Sequence, residues 1–224
     1  MTSEQREEIS VAAAAVAAGE IVGIPTDTVY GIAADPTNRA AIELLFAAKA
    51  RPVSIGLPVL VGDPAEAGSL AELDDRAARL IELYWPGPLT IVLARRRRED
   101  GSALYLGGDD SSVGLRCPAH DVARELLVAT GPLAVTSANP HGELPARTAG
   151  ELRARLGGRG GPSNSGAPRA GARAVMVVVD GGTCDGTPSS VVSLLGATPR
   201  VLREGAIATG ELLEALGLRA SGDE

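Results

Sequence analysis

The sequence predicts an α/β (α+β) fold in which one mixed, twisted β-sheet is covered by helices. Three observations predict it. Short apolar runs of strand length recur along the 224 residues and are interleaved with longer runs of helical period. The two kinds alternate without the regular spacing of a repeated βαβ unit, which points to a mixed sheet. Composition is that of a globular chain able to bury a sizeable core, 45% hydrophobic and 22% charged, while aromatics at 2% leave that core to Ala, Val, Leu and Ile.

Each element follows from its own local signal. Residues 4–18 form an Ala-rich helix, opened by a Thr2/Gln5 capping box and stopped by Gly19. Ile21-Val22-Gly23-Ile24 is a short buried strand ended by Pro25, and a polar turn follows it. A helix over 38–49 is read from the apolar face Ala40, Ile42, Leu44, Leu45 and Phe46. Further helices are expected at 74–84, 120–130, 147–156 and 209–217. Strands are expected at 57–61, 89–94, 111–116, 132–136, 174–180, 190–195 and 199–203. The Gly, Pro, Ser and Asn-rich stretch from Gly157 to Gly171 reads as a loop, since too few strands follow it to close a second core. Residues 1–218 are therefore expected to make a single domain, and 219–224 a disordered tail.

Charge and cysteine usage exclude several classes of function. A net charge of −7 and a pI near 5.0 oppose a general nucleic-acid surface, and scarce aromatics remove the platforms on which single-stranded bases stack. A small anion can still bind in a local basic pocket. The dense positive run Arg95-Arg96-Arg97-Arg98, followed by Glu99 and Asp100, reads as a solvated strand end. Cys117 and Cys184 lie far apart without metal or redox spacing, and with His120 and His141 as the only histidines a structural zinc site is not expected. A reduced, cytoplasmic setting is the expectation. The acidic N-terminus is unlike a signal peptide, and no apolar stretch approaches the ~20 residues of a membrane span. Walker A and Gly-x-Gly-x-x-Gly patterns are absent, so any nucleotide is held by another scheme.

Lys49 is the most informative single residue, because it is the only lysine among 21 basic residues. Where arginine supplies nearly every other positive charge, a retained lysine marks a place for a compact point charge, and Arg51 two residues on adds a forked one. Five polar clusters interrupt buried strands: Pro25 to Gly31, where hydroxyls and Tyr30 face a cleft; Lys49/Arg51; Ser111 to Arg116; Thr136 to Pro140; and Thr187 to Val192 with Leu202 to Gly205. Strand alternation places Ser112, Gly114 and Arg116 on one face. Each cluster alone is more often a turn than a site. Their joint occurrence is the signal.

The segments Pro25-Thr26-Asp27-Thr28-Val29-Tyr30-Gly31, Lys49-x-Arg51-Pro52, Trp85-Pro86-Gly87-Pro88-Leu89-Thr90, Gly114-Leu115-Arg116-x-Pro118-x-His120, Thr136-Ser137-Ala138-Asn139-x-x-Gly142, Pro188-Ser189-Ser190-Val191-Val192 and Leu202-Arg203-Glu204-Gly205-Ala206-Ile207 resemble, in order, the signatures of the YrdC-like threonylcarbamoyl-AMP synthases. The resemblance implies a YrdC-like fold with an open basic pocket. It also implies a nucleotidyltransferase reaction in which L-threonine, bicarbonate or CO2, and ATP with Mg2+ give L-threonylcarbamoyl-AMP and pyrophosphate. A separate tRNA threonylcarbamoyl transferase would then modify position 37 of tRNA, with direct tRNA binding by this chain weak. Lys49 and Arg51 would serve catalysis; Thr28, Arg116 and Ser189 would hold threonine; Lys49, Arg51, Ser112, Ser137, Asn139 and Arg203 would hold ATP. No metal-ligating residue is assigned. The chain departs from many relatives at Ile55-Gly56 and at Leu60, where a polar or basic residue and a histidine are common. The alternative reading is a non-catalytic module of the same fold that binds double-stranded RNA or tRNA; an enclosed pocket rather than a broad basic stripe separates the two.

Overall fold

A computed structural model describes residues 1–49, 52–97, 104–139, 144–156 and 177–218. The loop read at Gly157 to Gly171 and the tail at 219–224 lie outside the described residues, as does Arg98. Nine strands of the described residues join in one sheet: β1 (Val22–Ile24), β2 (Gly31–Ala34), β3 (Val59–Leu60), β4 (Leu89–Ala94), β5 (Ser112–Arg116), β6 (Leu133–Ser137), β7 (Val177–Val178), β8 (Ser190–Ser193) and β9 (Arg200–Arg203). Their order is β7-β1-β2-β6-β3-β5-β4-β8-β9. The β1/β7, β3/β5 and β4/β8 pairs are parallel and the rest antiparallel, so the sheet is mixed as the sequence predicts.

The helices are α1 (Ser3–Ala17), α2 (Arg39–Lys49), α3 (Ala67–Leu70), α4 (Asp75–Tyr84), α5 (Asp121–Thr130), α6 (Ala149–Leu156) and α7 (Thr209–Ala215). The capping box forms as expected: Thr2 Oγ1 accepts from the Gln5 amide at 3.1 Å, and Gln5 Oε1 from the Thr2 amide at 2.9 Å. His120 caps α5 with its ring nitrogen toward the Ala123 amide, and Asp74 caps α4.

Three elements depart from the expectation. The polar turn after β1 is a hairpin connection that returns as β2, with Ile24 paired to Gly31 and Val22 to Ala33. Gly-Ile-Ala-Ala carries no period-2 alternation because both of its faces are buried, which hides a strand from pattern reading. A short 3-10 turn (Pro64–Glu66) and α3 are likewise too short to show a period.

The two faces of the sheet are covered differently, and that difference makes the site. On one face Ile32, Val59, Ile91, Val113 and Leu115 pack in a continuous core with α2, α4, α6 and α7. On the other, Val22, Ile24, Ala33, Leu60, Leu133 and Val135 pack beneath α1 and α5. Leu60 pairs with Leu133 on one side and Arg116 on the other. Past Leu60 this second face carries Arg116, Gly114, Ser112, Thr90 and Val92, which line a cavity instead of meeting those helices.

Candidate functional site

The cavity has a volume of about 570 Å3, within the range of small-molecule sites. Its lining includes Thr28, Ser112, Arg116, Ser137, Ser189 and Arg203 from the residues singled out in the sequence. The alternation read for β5 holds: Val113 and Leu115 point into the larger core, and Ser112, Gly114 and Arg116 into the cavity. Gly114 is its floor, where a Cβ would stand 3.3 Å from Thr90 Cγ2 and 3.6 Å from Pro58 Cβ.

Arg116 is held from three directions. Its Nε donates to the Gly87 carbonyl at 3.0 Å, Nη1 to Thr28 Oγ1 at 2.9 Å and Nη2 to Asp27 Oδ1 at 2.5 Å. The residue is 6% exposed. Burial pulls its pKa below the ordinary arginine value, and the Asp27 ion pair opposes this, so the guanidinium stays charged. The Pro25 to Tyr30 loop that supplies both partners is stiffened by Thr26, whose hydroxyl donates to the Val29 carbonyl at 2.6 Å and accepts from the Thr28 and Val29 amides. Two of the five guanidinium hydrogens remain beyond these three bonds, enough to receive a carboxylate.

Lys49 closes α2, and its Nζ donates to the Ser137 carbonyl at 2.7 Å, Ser137 Oγ at 2.6 Å and Asn139 Oδ1 at 2.5 Å. The structure thus joins Lys49 to two residues 88 and 90 positions further along the sequence. Lys49 is 6% exposed. Arg51, read beside it, lies outside the described residues. A third group spans β4, β8 and β9: Thr90 Oγ1 lies 3.0 Å from Ser189 Oγ, while Arg203 donates from Nε to the Ser189 carbonyl at 2.9 Å and from Nη2 to Ser189 Oγ at 3.0 Å.

Sequence reasoning missed several contributors. Asp27 is quoted within its motif but given no role; the available signal is that it is the only charged residue between Ile21 and Ala34. Thr90 carries none beyond its motif. Arg95 is a correction: Arg96 and Arg97 are exposed as a solvated strand end requires, but the Arg95 side chain is 4% exposed and lines the cavity. Tyr30 is another. It does not face the cleft but is fully buried in the larger core, its hydroxyl donating to the Gly182 carbonyl at 2.9 Å and accepting from the Gly181 amide at 3.1 Å. Cys117 is buried too, and burial pushes its thiol up to about 11, so it is no activated nucleophile. Among the described residues no group of three or more His, Cys, Asp and Glu can hold a metal ion, and no helix is long and apolar enough to cross a membrane.

An α/β fold with buried cations and hydroxyls around one cavity has the donor set that a small anionic ligand requires. The sequence pattern of the Sua5/YciO/YrdC family, described as telomere recombination, matches residues 14–205, and the chain belongs to this family. A Mycobacterium tuberculosis protein provisionally named threonylcarbamoyl-AMP synthase is 38% identical over 97% of this chain and 94% of its own length. The threonylcarbamoyl-AMP synthase of Pyrococcus abyssi is 30% identical over 94% of this chain and 57% of its own. The crystal structure of P. abyssi Sua5 complexed with L-threonine superposes with a TM-score of 0.82 at 29% identity, covering 98% of this chain and 60% of that one. This chain thus spans nearly the whole mycobacterial relative but only about three-fifths of the archaeal one. E. coli YciO shares the fold at a TM-score of 0.78 and 24% identity, over 95% of both chains.

Proposed function

We propose that the chain, acting through residues 1–218 as one domain, is a threonylcarbamoyl-AMP synthase: a transferase acting on ATP, and specifically a nucleotidyltransferase. L-Threonine, bicarbonate or CO2, and ATP give L-threonylcarbamoyl-AMP and pyrophosphate. The observation that carries the reading is one cavity with an anion grip in its wall and a second, different one joined to that wall through Ser137. Arg116 with Thr28 is shaped for a carboxylate, and the Lys49, Ser137 and Asn139 cluster, reached from β5 across the single strand β3 at the end of β6, for phosphate oxygens.

That geometry supports roles for the described residues, and the family resemblance one for Arg51. Arg116 and Thr28 hold the threonine carboxylate, and Ser189, fixed by Thr90 and Arg203, reads the amino acid's polar groups. Lys49, Arg51, Ser112, Ser137, Asn139 and Arg203 take the nucleotide. Mg2+ fits as a companion of the triphosphate: the donors at hand are the hydroxyls and amide of Ser112, Ser137 and Asn139, suited to phosphate or metal-bound water rather than to an all-protein cage. The chemistry is mostly positioning. The threonine amine becomes a carbamate whose oxygen attacks the α-phosphorus as pyrophosphate leaves, and no protein nucleophile is needed. The product would pass to a separate transferase that modifies position 37 of tRNA. Burial of Lys49 and Arg116, the latter in the cavity wall, speaks against an RNA-binding stripe.

Pyrophosphate release tests this reading. It is expected only with ATP, threonine and bicarbonate together; release unaffected by omitting threonine overturns it.

A further inference from the structure

Arg95 has no role in the reaction as described, yet its side chain is buried and bonded in the cavity wall. It follows β4 directly, and its amide donates to the Ser111 carbonyl at 2.8 Å. Its side chain donates from Nε to the Ser112 carbonyl at 2.8 Å and from Nη1 to the Leu104 carbonyl at 2.7 Å. Among the described residues the one carboxylate in ion-pair range is Asp110, 3.8 Å away and 72% exposed, so this pair is a weak surface one.

These bonds gather residues 104–112 into a loop, and the loop is zipped to the segment after α2. The Leu57 amide donates to the Leu106 carbonyl at 2.9 Å and the Gly108 amide to the Val53 carbonyl at 2.7 Å. The contact leaves no room for side chains: a Cβ on Gly107 would stand 2.5 Å from the Val53 carbonyl oxygen, and one on Gly108 2.7 Å from the Gly56 nitrogen. Both glycines have left-handed φ, +68° and +66°. Together Ile55, Gly56, Gly107, Gly108 and Ser112 form one wall of the cavity.

We propose that Arg95 is a positioning residue for the nucleotide: by holding the Leu104 and Ser112 carbonyls it sets this two-loop wall, and with it the Ser112 hydroxyl, against the bound triphosphate. The inference rests on the function proposed above. A planar fork reaches carbonyls that lie in different directions, whereas a lysine ammonium at the end of a flexible stem holds one geometry poorly. A guanidinium in the same wall also favours a polyanion over a zwitterion such as threonine.

Arg95→Gln and Arg95→Lys in the full chain test it, with pyrophosphate release followed while each substrate is varied against saturating amounts of the other. Arg95→Gln is expected to raise KM for ATP about ten-fold. KM for threonine, and kcat at saturating ATP, should stay within about two-fold, with Arg95→Lys intermediate. In hydrogen exchange the Leu57 and Gly108 amides should open faster in both variants and regain protection on adding ATP. Equal rises in the two KM values, or an unchanged KM for ATP, overturn the proposal. Should Arg95→Gln fail to fold, Arg95→Lys decides by the same KM split. If the wild-type chain binds ATP calorimetrically but releases no pyrophosphate, the proposed function falls, and the wild-type to variant ratio of Kd for ATP still decides this inference. A wild-type chain that does not bind ATP overturns both.

Discussion

Lys49 shows how a single residue's chemistry is set by its surroundings. Its ammonium makes three short bonds to Ser137 and Asn139, and as a compact group it fits where a guanidinium would have to displace one of them. Lys49→Arg is therefore expected to lower ATP-dependent turnover, and Lys49→Ala to abolish it. Because the side chain is buried and bonded, Lys49→Ala should also lower stability by about 1–3 kcal/mol, which urea unfolding will measure. Wild-type turnover in Lys49→Arg would defeat the argument. Arg116→Ala should weaken threonine binding by about 1.5–3 kcal/mol and ATP binding much less, as read by calorimetry. It also leaves Asp27 without its partner in a mostly buried place, so Arg116→Ala should unfold more easily than the Arg116→Ala/Asp27→Asn double variant.

At the scale of elements, the cavity exists because α1 and α5 cover only part of one sheet face and because β5 carries a glycine where the floor must be low. Gly114→Val adds methyls where even a Cβ would touch Thr90 and Pro58. Affinity for both ligands should fall by at least about ten-fold, while Gly114→Ala falls less. Calorimetry on both variants checks this, and unchanged affinity in Gly114→Val would place the ligands elsewhere. Packing also sets an alkaline limit. The Cys117 thiol, normally near 9.0, is pushed up to about 11, and the Tyr30 phenol from 10.0 to about 12. Both raised values mean that the folded chain holds its protons longer than the unfolded one, so stability is full below pH 9 and is lost as pH climbs through 11 to 12. Urea midpoints should fall across that window, and less steeply in Cys117→Ala.

For the whole molecule, a net charge of −7 with the key cations buried has a consequence for partners. Direct tRNA affinity should be weak and salt-sensitive, in the roughly 10⁻⁴–10⁻⁶ M range of non-specific contacts. Filter binding across salt concentrations checks it; submicromolar, salt-resistant binding would restore the RNA-binding alternative.

Local pattern alone determined most elements of this fold. Helical period, turn residues and caps are encoded within a few positions, so α1, α2, α4, α5 and the longer strands were legible, as were the polar clusters at strand ends. Most of the predicted site residues are also brought together: Thr28, Ser112, Arg116, Ser137, Ser189 and Arg203 share one cavity, and Lys49 bonds both Ser137 of that wall and Asn139. What only the tertiary structure decided depends on contacts distant in sequence. Thr90 meets Ser189 across 99 positions and Asp27 meets Arg116 across 89, and neither pairing leaves a local trace. Burial on both faces concealed β2, and the Leu104 and Ser112 carbonyls turned Arg95 inward from a run whose local character is that of a solvated surface. A chain's own period records which way a residue can face. Which neighbour awaits it is fixed only when the sheet closes.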